Sequence, residues 1–171
     1  MTRAATLLAN TLTNHGVDRV FCVPGESYLA LIDALYDTPS IDVVTARHEG
    51  GASFMAVADA KMTGKPGIVM VSRGPGATNA SIGIHVSQQD ATPVIMFVGQ
   101  VSREDRGRGA FQEVDYVKTY SDMAKWVIEV SDADKISECV RRAFVIAQSG
   151  TPGPVIISLP EDMPVSYTHL T

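Results

Sequence analysis

The sequence predicts an α/β fold, a doubly wound, mainly parallel six-stranded sheet with helices on both faces. Three observations predict it. Six short apolar runs recur along the 171 residues. Most are continuous rather than alternating, as strands covered on both faces are. Amphipathic stretches of helical length separate them, with short turns between, and that rhythm belongs to a parallel sheet.

The elements follow in order. A helix over 3–15 opens the chain, and His15-Gly16 closes it with a glycine just past the helix end. The run 19–23 is the first strand and 27–36 the second helix. The second strand, 41–46, leads into a helix over 49–62, and Gly64-Lys65-Pro66-Gly67 turns the chain into the third strand, 67–72. A helix over 77–89 and the strand 94–100 come next, then a polar loop, a helix over 113–121 and the strand 124–130. Ser131 or Asp132 caps the long helix 132–148, with Lys135 one turn on. The loop from Ser149 to Pro154 enters the last strand, 154–159.

Bulk properties narrow the function. The length fits one domain with its own core. A hydrophobic fraction of 45% and a charged fraction of 19% are those of a globular protein. The formal charge of −5 speaks against a nucleic-acid partner, which needs a basic face. Cys22 and Cys139 lack metal-ligand spacing and read as small core residues in a reducing compartment. Polar residues Asn10, Thr11, Thr13 and Asn14 break any signal-peptide core, and no apolar run approaches the ~18 residues of a membrane span. The expected location is the cytoplasm, with no membrane partner.

In such a sheet, ligands bind outside the carboxyl ends of the strands. There the sequence sets Pro24-Gly25-Glu26, Arg47-His48-Glu49-Gly50-Gly51, Ser72-Arg73-Gly74-Pro75-Gly76-Ala77-Thr78-Asn79 and Gly109-Ala110-Phe111-Gln112-Glu113. The glycine turn 74–79 partly imitates a dinucleotide fingerprint, but Asn79 stands where the third glycine is needed. Spacing alone leaves it as a turn with an anion-friendly helix start. Glu49, taken alone, is an acidic residue favoured at a helix N-terminus. The small residues that follow it imply that something packs closely on its helix, and a carboxylate beside an apolar surface can share a proton near neutrality. His15, His48 and His85 have plain structural readings, and no His/Cys cluster has metal spacing.

Together and in this order, these segments resemble the pyrimidine domain of the acetolactate-synthase family of thiamine-diphosphate enzymes. Asp90-Ala91-Thr92-Pro93, Val98-Gly99-Gln100-Val101, Gly153-Pro154-Val155 and Leu159-Pro160-Glu161-Asp162 add to the match, which covers nearly all of 1–164. The resemblance implies that Glu49 and Gln112 are catalytic. Glu49 would hydrogen-bond the N1′ nitrogen of the aminopyrimidine and favour its imino form, which then takes the proton from thiazolium C2. Pro24, Gly25, Glu49, Gly74, Pro75, Gly76 and Asn79 would bind the cofactor, Phe111 would lie on the substrate side, and no residue of this chain would bind metal. The substrate class would be 2-keto acids, and a full-length protein would form a homodimer or tetramer, with the helices 49–62 and 77–89 at a two-fold interface.

The same resemblance implies that Mg2+ is held by a diphosphate domain absent from this chain, leaves FAD as a possible cofactor of the full-length protein, and implies that the fragment alone is inactive. Glu26, Arg73 and Arg106-Gly107-Arg108 depart from the family's usual residues and leave the substrate pair open. Ser72-Arg73, where decarboxylating relatives carry a histidine, favours carboligation. The alternatives are a decarboxylase or acyltransferase relative and a non-catalytic α/β partner-binding module. The tail 165–171 does not resemble the family and is set outside the domain as foreign sequence or a truncation scar.

Overall fold

Continuous apolar runs do form the strands. The computed structural model describes residues 1–168. The chain runs β1 (Thr2–Arg3), α1 (Ala4–Asn14), β2 (Arg19–Cys22), α2 (Leu29–Tyr36), β3 (Asp42–Thr45), α3 (Glu49–Thr63), β4 (Gly67–Val71), α4 (Pro75–Gln89), β5 (Val94–Gln100), α5 (Tyr116–Tyr120), β6 (Trp126–Glu129), α6 (Ile136–Gln148), β7 (Pro154–Pro160) and β8 (Tyr167–Thr168). The large sheet has the order β3-β2-β4-β5-β7-β6, and every pairing in it is parallel.

Side-chain alternation divides the core into two layers. From β5, Ile95 and Phe97 face α1, α2 and α6, while Val94, Met96 and Val98 face α3, α4 and α5. Every residue of β5 and β7 is buried, which is why their runs show no polar alternation. Each large apolar side chain so buried contributes roughly 1.5–3 kcal/mol before the cost of ordering the chain. Helix α2 lies on one face and α3 on the other, so the winding reverses between β2 and β4. In sheets of this kind a ligand crevice forms where the winding reverses, at the carboxyl ends of the strands.

The small residues of α3 are explained by its neighbours. A Cβ built on Gly83 of α4 would sit 2.3 Å from Ser53 Oγ, and one built on Gly67 of β4 would sit 2.0 Å from the Ala56 carbonyl oxygen. What packs closely on α3 is therefore α4 and the sheet of the same chain. The outward faces of the two helices keep Phe54, Met62 and Ile82 exposed.

Several helix starts shift from the sequence expectation for local reasons. Residues Glu26–Tyr28 form a 3-10 turn, so α2 begins at Leu29. Helix α4 begins at Pro75, where a missing N–H costs nothing. The Asp132 carboxylate accepts from the Asp134 amide and caps a 3-10 turn, delaying α6 to Ile136. Helix α5 starts only at Tyr116 because Glu113 folds back on its own loop, and Asp115 caps the helix by accepting from the Lys118 amide. Residues 165–168 run beside the N-terminus. Thr168 pairs with Thr2 and Tyr167 with Arg3, and the first amides of α1, on Ala4 and Ala5, donate to the carbonyls of Ser166 and Pro164. The rest of the atypical tail, 169–171, lies outside the described residues.

Candidate active site

The crevice is built from four strand ends. After β3 the chain reaches His48, extended at φ −153° and ψ 136°, whose Nδ1 accepts from the Gly50 amide and starts α3. Glu49 is then the first residue of α3, half-buried, with its side chain turned to the start of α4. Its Oε2 accepts from Asn79 Nδ2 at 2.9 Å. Its Oε1 lies 3.3 Å from the position a Cβ on Gly76 would take. The carboxylate thus faces the glycine turn, and its hydrogen-bond partner is a neutral amide rather than a cation. Beneath it, the Tyr28 hydroxyl donates to the carbonyls of Val23 and Met70. Burial, then Cys22 and finally Glu49 push that hydroxyl well above its ordinary pKa.

The turn after β4 has a conformation open only to glycine. Gly74 has φ 61° and ψ −110°, and a Cβ there would stand 2.8 Å from Gln112 Cβ. Gln112 itself has φ 63°, a left-handed conformation uncommon for a residue with a side chain. Such outliers persist only where surrounding contacts hold them. The structure therefore brings Glu49, Gly76 and Asn79 into direct contact, and Gly74 and Gln112 into a second contact on the same turn. Gly25 joins through Ser72, whose Cβ would be 2.6 Å from a Cβ on Gly25. Pro24 and Pro75 are exposed on the rim, and Phe111 is 77% exposed. Bulk at Gly25, Gly74 or Gly76 would meet the rim's own atoms, so these glycines serve the packing of the crevice.

A carboxylate holds the loop that carries Phe111 and Gln112. Glu113 accepts from the amides of Gly107 at 2.7 Å and Ala110 at 3.3 Å and from the Arg106 guanidinium at 2.5 Å. The Gly107 amide first, then the Ala110 amide and Arg106, hold its carboxyl below the ordinary value of 4.5. A carboxylate with a depressed folded pKa stabilises its loop fully above the unfolded value and loses that effect as pH falls through the folded one. The protection factors of the Gly107 and Ala110 amides, measured against the intrinsic exchange rate at each pH, are therefore expected to hold from neutrality down to about pH 4.5 and to fall below it. Equal protection factors at pH 6 and pH 3 would refute the role given to Glu113. Beside this loop an open concavity of about 810 Å³ is lined by Arg106, Gly107, Gly109, Ala110, Glu113, Asp115 and Glu129.

Two features escape sequence reasoning. Arg73, nearly buried, pairs with Glu161 at 2.5 Å and with Glu26 at 3.4 Å. Two of the residues that depart from the family pattern are thus partners, and Arg73 ties the ends of β2, β4 and β7 together. Tyr116 places its buried hydroxyl between two backbone groups of the rim, accepting from the Gly74 amide at 3.0 Å and donating to the Gly99 carbonyl at 3.2 Å. Its spacing from Tyr120, one helical turn on, was the available signal, since both rings face inward and both are buried. Among the described residues no group of three or more His, Cys, Asp and Glu is placed to hold a metal ion. No helix among them is long and apolar enough to cross a membrane.

The family model described as "Thiamine pyrophosphate enzyme, N-terminal TPP binding domain" matches residues 2–119. The chain belongs to this family. The match takes in all the proposed site residues, from Pro24 to Gln112, and Tyr116 as well. This thiamine pyrophosphate enzyme domain is 38% identical over 167 residues to the acetolactate synthase of Bacillus subtilis (strain 168), covering 98% of the chain and 29% of that protein. It is 40% identical over 162 residues to the acetolactate synthase large subunit of Lactococcus lactis subsp. lactis (strain IL1403), covering 95% and 28%. It is also 40% identical over 155 residues to the mitochondrial acetolactate synthase of Schizosaccharomyces pombe (strain 972 / ATCC 24843), covering 91% and 23%. The chain spans less than a third of the length of each of these relatives.

Proposed function

We propose that the chain is the pyrimidine-binding domain of a thiamine-diphosphate-dependent carboligase of the acetolactate synthase type, acting on 2-keto acids. One observation carries the reading, the placement of Glu49. With Asn79 on one carboxylate oxygen, the other is left facing the glycine turn, where a protonatable ring nitrogen can approach it. Such an arrangement suits a group that holds or shares a proton with a bound heteroaromatic ring. Thiamine diphosphate, when bound, supplies the carbanion chemistry that a 2-keto acid needs to lose carbon dioxide. Glu49 holds the proton at the ring nitrogen, and Asn79 orients its carboxylate. Gln112, fixed on Gly74, presents an amide near the reacting carbon, and Phe111 closes the substrate side. Pro24, Gly25, Pro75 and Gly76 shape the crevice.

The domain comprises residues 1–164. A separate domain of the full-length protein holds the diphosphate and its Mg2+, and FAD, where bound, also lies outside this chain. The free, buried thiols of Cys22 and Cys139 suit a reducing cytoplasm. The exposed apolar residues on α3 and α4 suit a two-fold contact between subunits, in which both copies offer the same patch.

The test is direct. The full-length protein, given thiamine diphosphate, Mg2+ and pyruvate, is expected to form acetolactate, whereas this chain alone is expected to bind the cofactor too weakly for micromolar calorimetry. Release of acetaldehyde with no carboligation product would replace the carboligase by a decarboxylase. Failure of the full-length protein to bind the cofactor would overturn the reading.

A further inference from the structure

Strand β4 leaves the sheet early. Its pairing with β5 ends at Val71 opposite Val98, while β5 continues to Gln100 beside β7. Beyond Val71 the Gly74 amide and the Gly99 carbonyl face a gap where no strand–strand hydrogen bond can form. Both residues are buried, and a buried backbone group left unpaired is costly. The hydroxyl of Tyr116 fills this gap, taking the Gly74 hydrogen at 3.0 Å and giving its own to Gly99 at 3.2 Å. Tyr116 is 2% exposed, and burial, as the largest cause, raises its pKa to about 12, so the hydroxyl keeps its proton at neutral pH.

We propose that Tyr116 is the positioning residue of the crevice, its hydroxyl fixing the Gly74 turn against which Gln112 is seated and from which Gly76 meets Glu49. Gly74 has no side chain to cap α4, and its left-handed conformation is held from outside. Tyr116 holds the amide side of this residue. On the other side the Gly74 carbonyl accepts from the Thr78 amide and hydroxyl. With the amide released, the turn relaxes, and the contacts with Gln112 and Glu49 loosen together. The inference rests on the proposed cofactor role of this crevice and adds a residue that determines how well the crevice is formed.

Tyr116→Phe in the full-length protein tests it, with Tyr120→Phe as its counterpart. The Tyr120 hydroxyl is equally buried but bonds to the Ala77 carbonyl and Ser81, within α4 rather than in the turn. Thiamine diphosphate binding in the presence of Mg2+, read by calorimetry, is expected to weaken by about tenfold or more in Tyr116→Phe and by less than about twofold in Tyr120→Phe, a tenfold change being about 1.4 kcal/mol. Affinity within about twofold of wild type for Tyr116→Phe would overturn the proposal. So would equal weakening by both variants, which marks a general structural loss. If the phenylalanine variant does not fold, 4-aminophenylalanine at position 116 keeps the ring and a donor to Gly99. That variant is expected to fold with intermediate affinity, and wild-type affinity would overturn the proposal. A wild-type protein that binds no cofactor would overturn the proposed function itself, and this inference with it, a result separable from every variant outcome.

Discussion

In the full-length protein, Glu49→Gln is expected to slow exchange of the C2 proton of bound thiamine diphosphate by roughly 10²–10⁴-fold, the range typical for loss of a positioned acid–base group. The substitution preserves shape, and a glutamine oxygen can still accept from Asn79 Nδ2 at the same place. What it removes is the ability to hold a proton on the oxygen facing Gly76. Stability is expected to change little, because the Glu49 side chain makes no hydrogen bond beyond that to Asn79 among the described residues. Proton exchange followed by NMR on the quenched cofactor provides the measurement. An unchanged rate with a well-folded variant would remove Glu49 from the chemistry.

The second large effect concerns the core. Gly67→Val is expected to lower the melting temperature of this 171-residue chain by roughly 2–12 °C or to abolish its soluble expression. A Cβ at Gly67 would stand 2.0 Å from the Ala56 carbonyl oxygen, 2.7 Å from its carbon and 3.2 Å from Ala56 Cα. These are backbone atoms of a helix interior, so no rotamer change relieves the clash, and α3 must lift from β4. Overpacking of this kind costs about 1–3 kcal/mol and occasionally more, and each kcal/mol moves the melting temperature of a domain this size by roughly 2–4 °C. Gly51→Ala is the natural control. Nothing lies within 4 Å of its Cβ position, and alanine in an exposed helix is favoured over glycine by about 0.5–1 kcal/mol. Destabilisation of equal size at both positions would refute the close packing of α3 on the sheet.

Most of the sheet is legible in the sequence, because a strand buried on both faces leaves a run with no polar break. The run 94–100 coincides with β5, and those at 19–23 and 67–72 overrun β2 and β4 by one residue. The start of α3 at Glu49 is legible as well, through the bare Gly50-Gly51 after it, whereas the His48 cap before it emerges only in the structure. The helix after the 106–113 loop is less so, because Glu113 looks like a helix-starting acid and is spent on the amides of Gly107 and Ala110. Gln112 can be singled out as a residue type, but its left-handed backbone follows from contacts with Gly74, 38 positions away in sequence. The pairing of Arg73 with Glu26 and Glu161 joins three strand ends and has no local signature. Long-range contacts of this kind decide the shape of the crevice, and sequence periodicity carries no trace of them.

The seam between α3 and α4 has a mechanical consequence. Gly83 leaves no room between the helices, and Ser53 fills that space from the other side. The acid and its amide partner sit on the opening turns of these two rods, a short distance from the fulcrum. Neither rod can slide or roll without the other, so the separation of Glu49 from Asn79 is set like the gap of a calliper. A bulky residue at position 83 would open the jaws without touching the reacting groups.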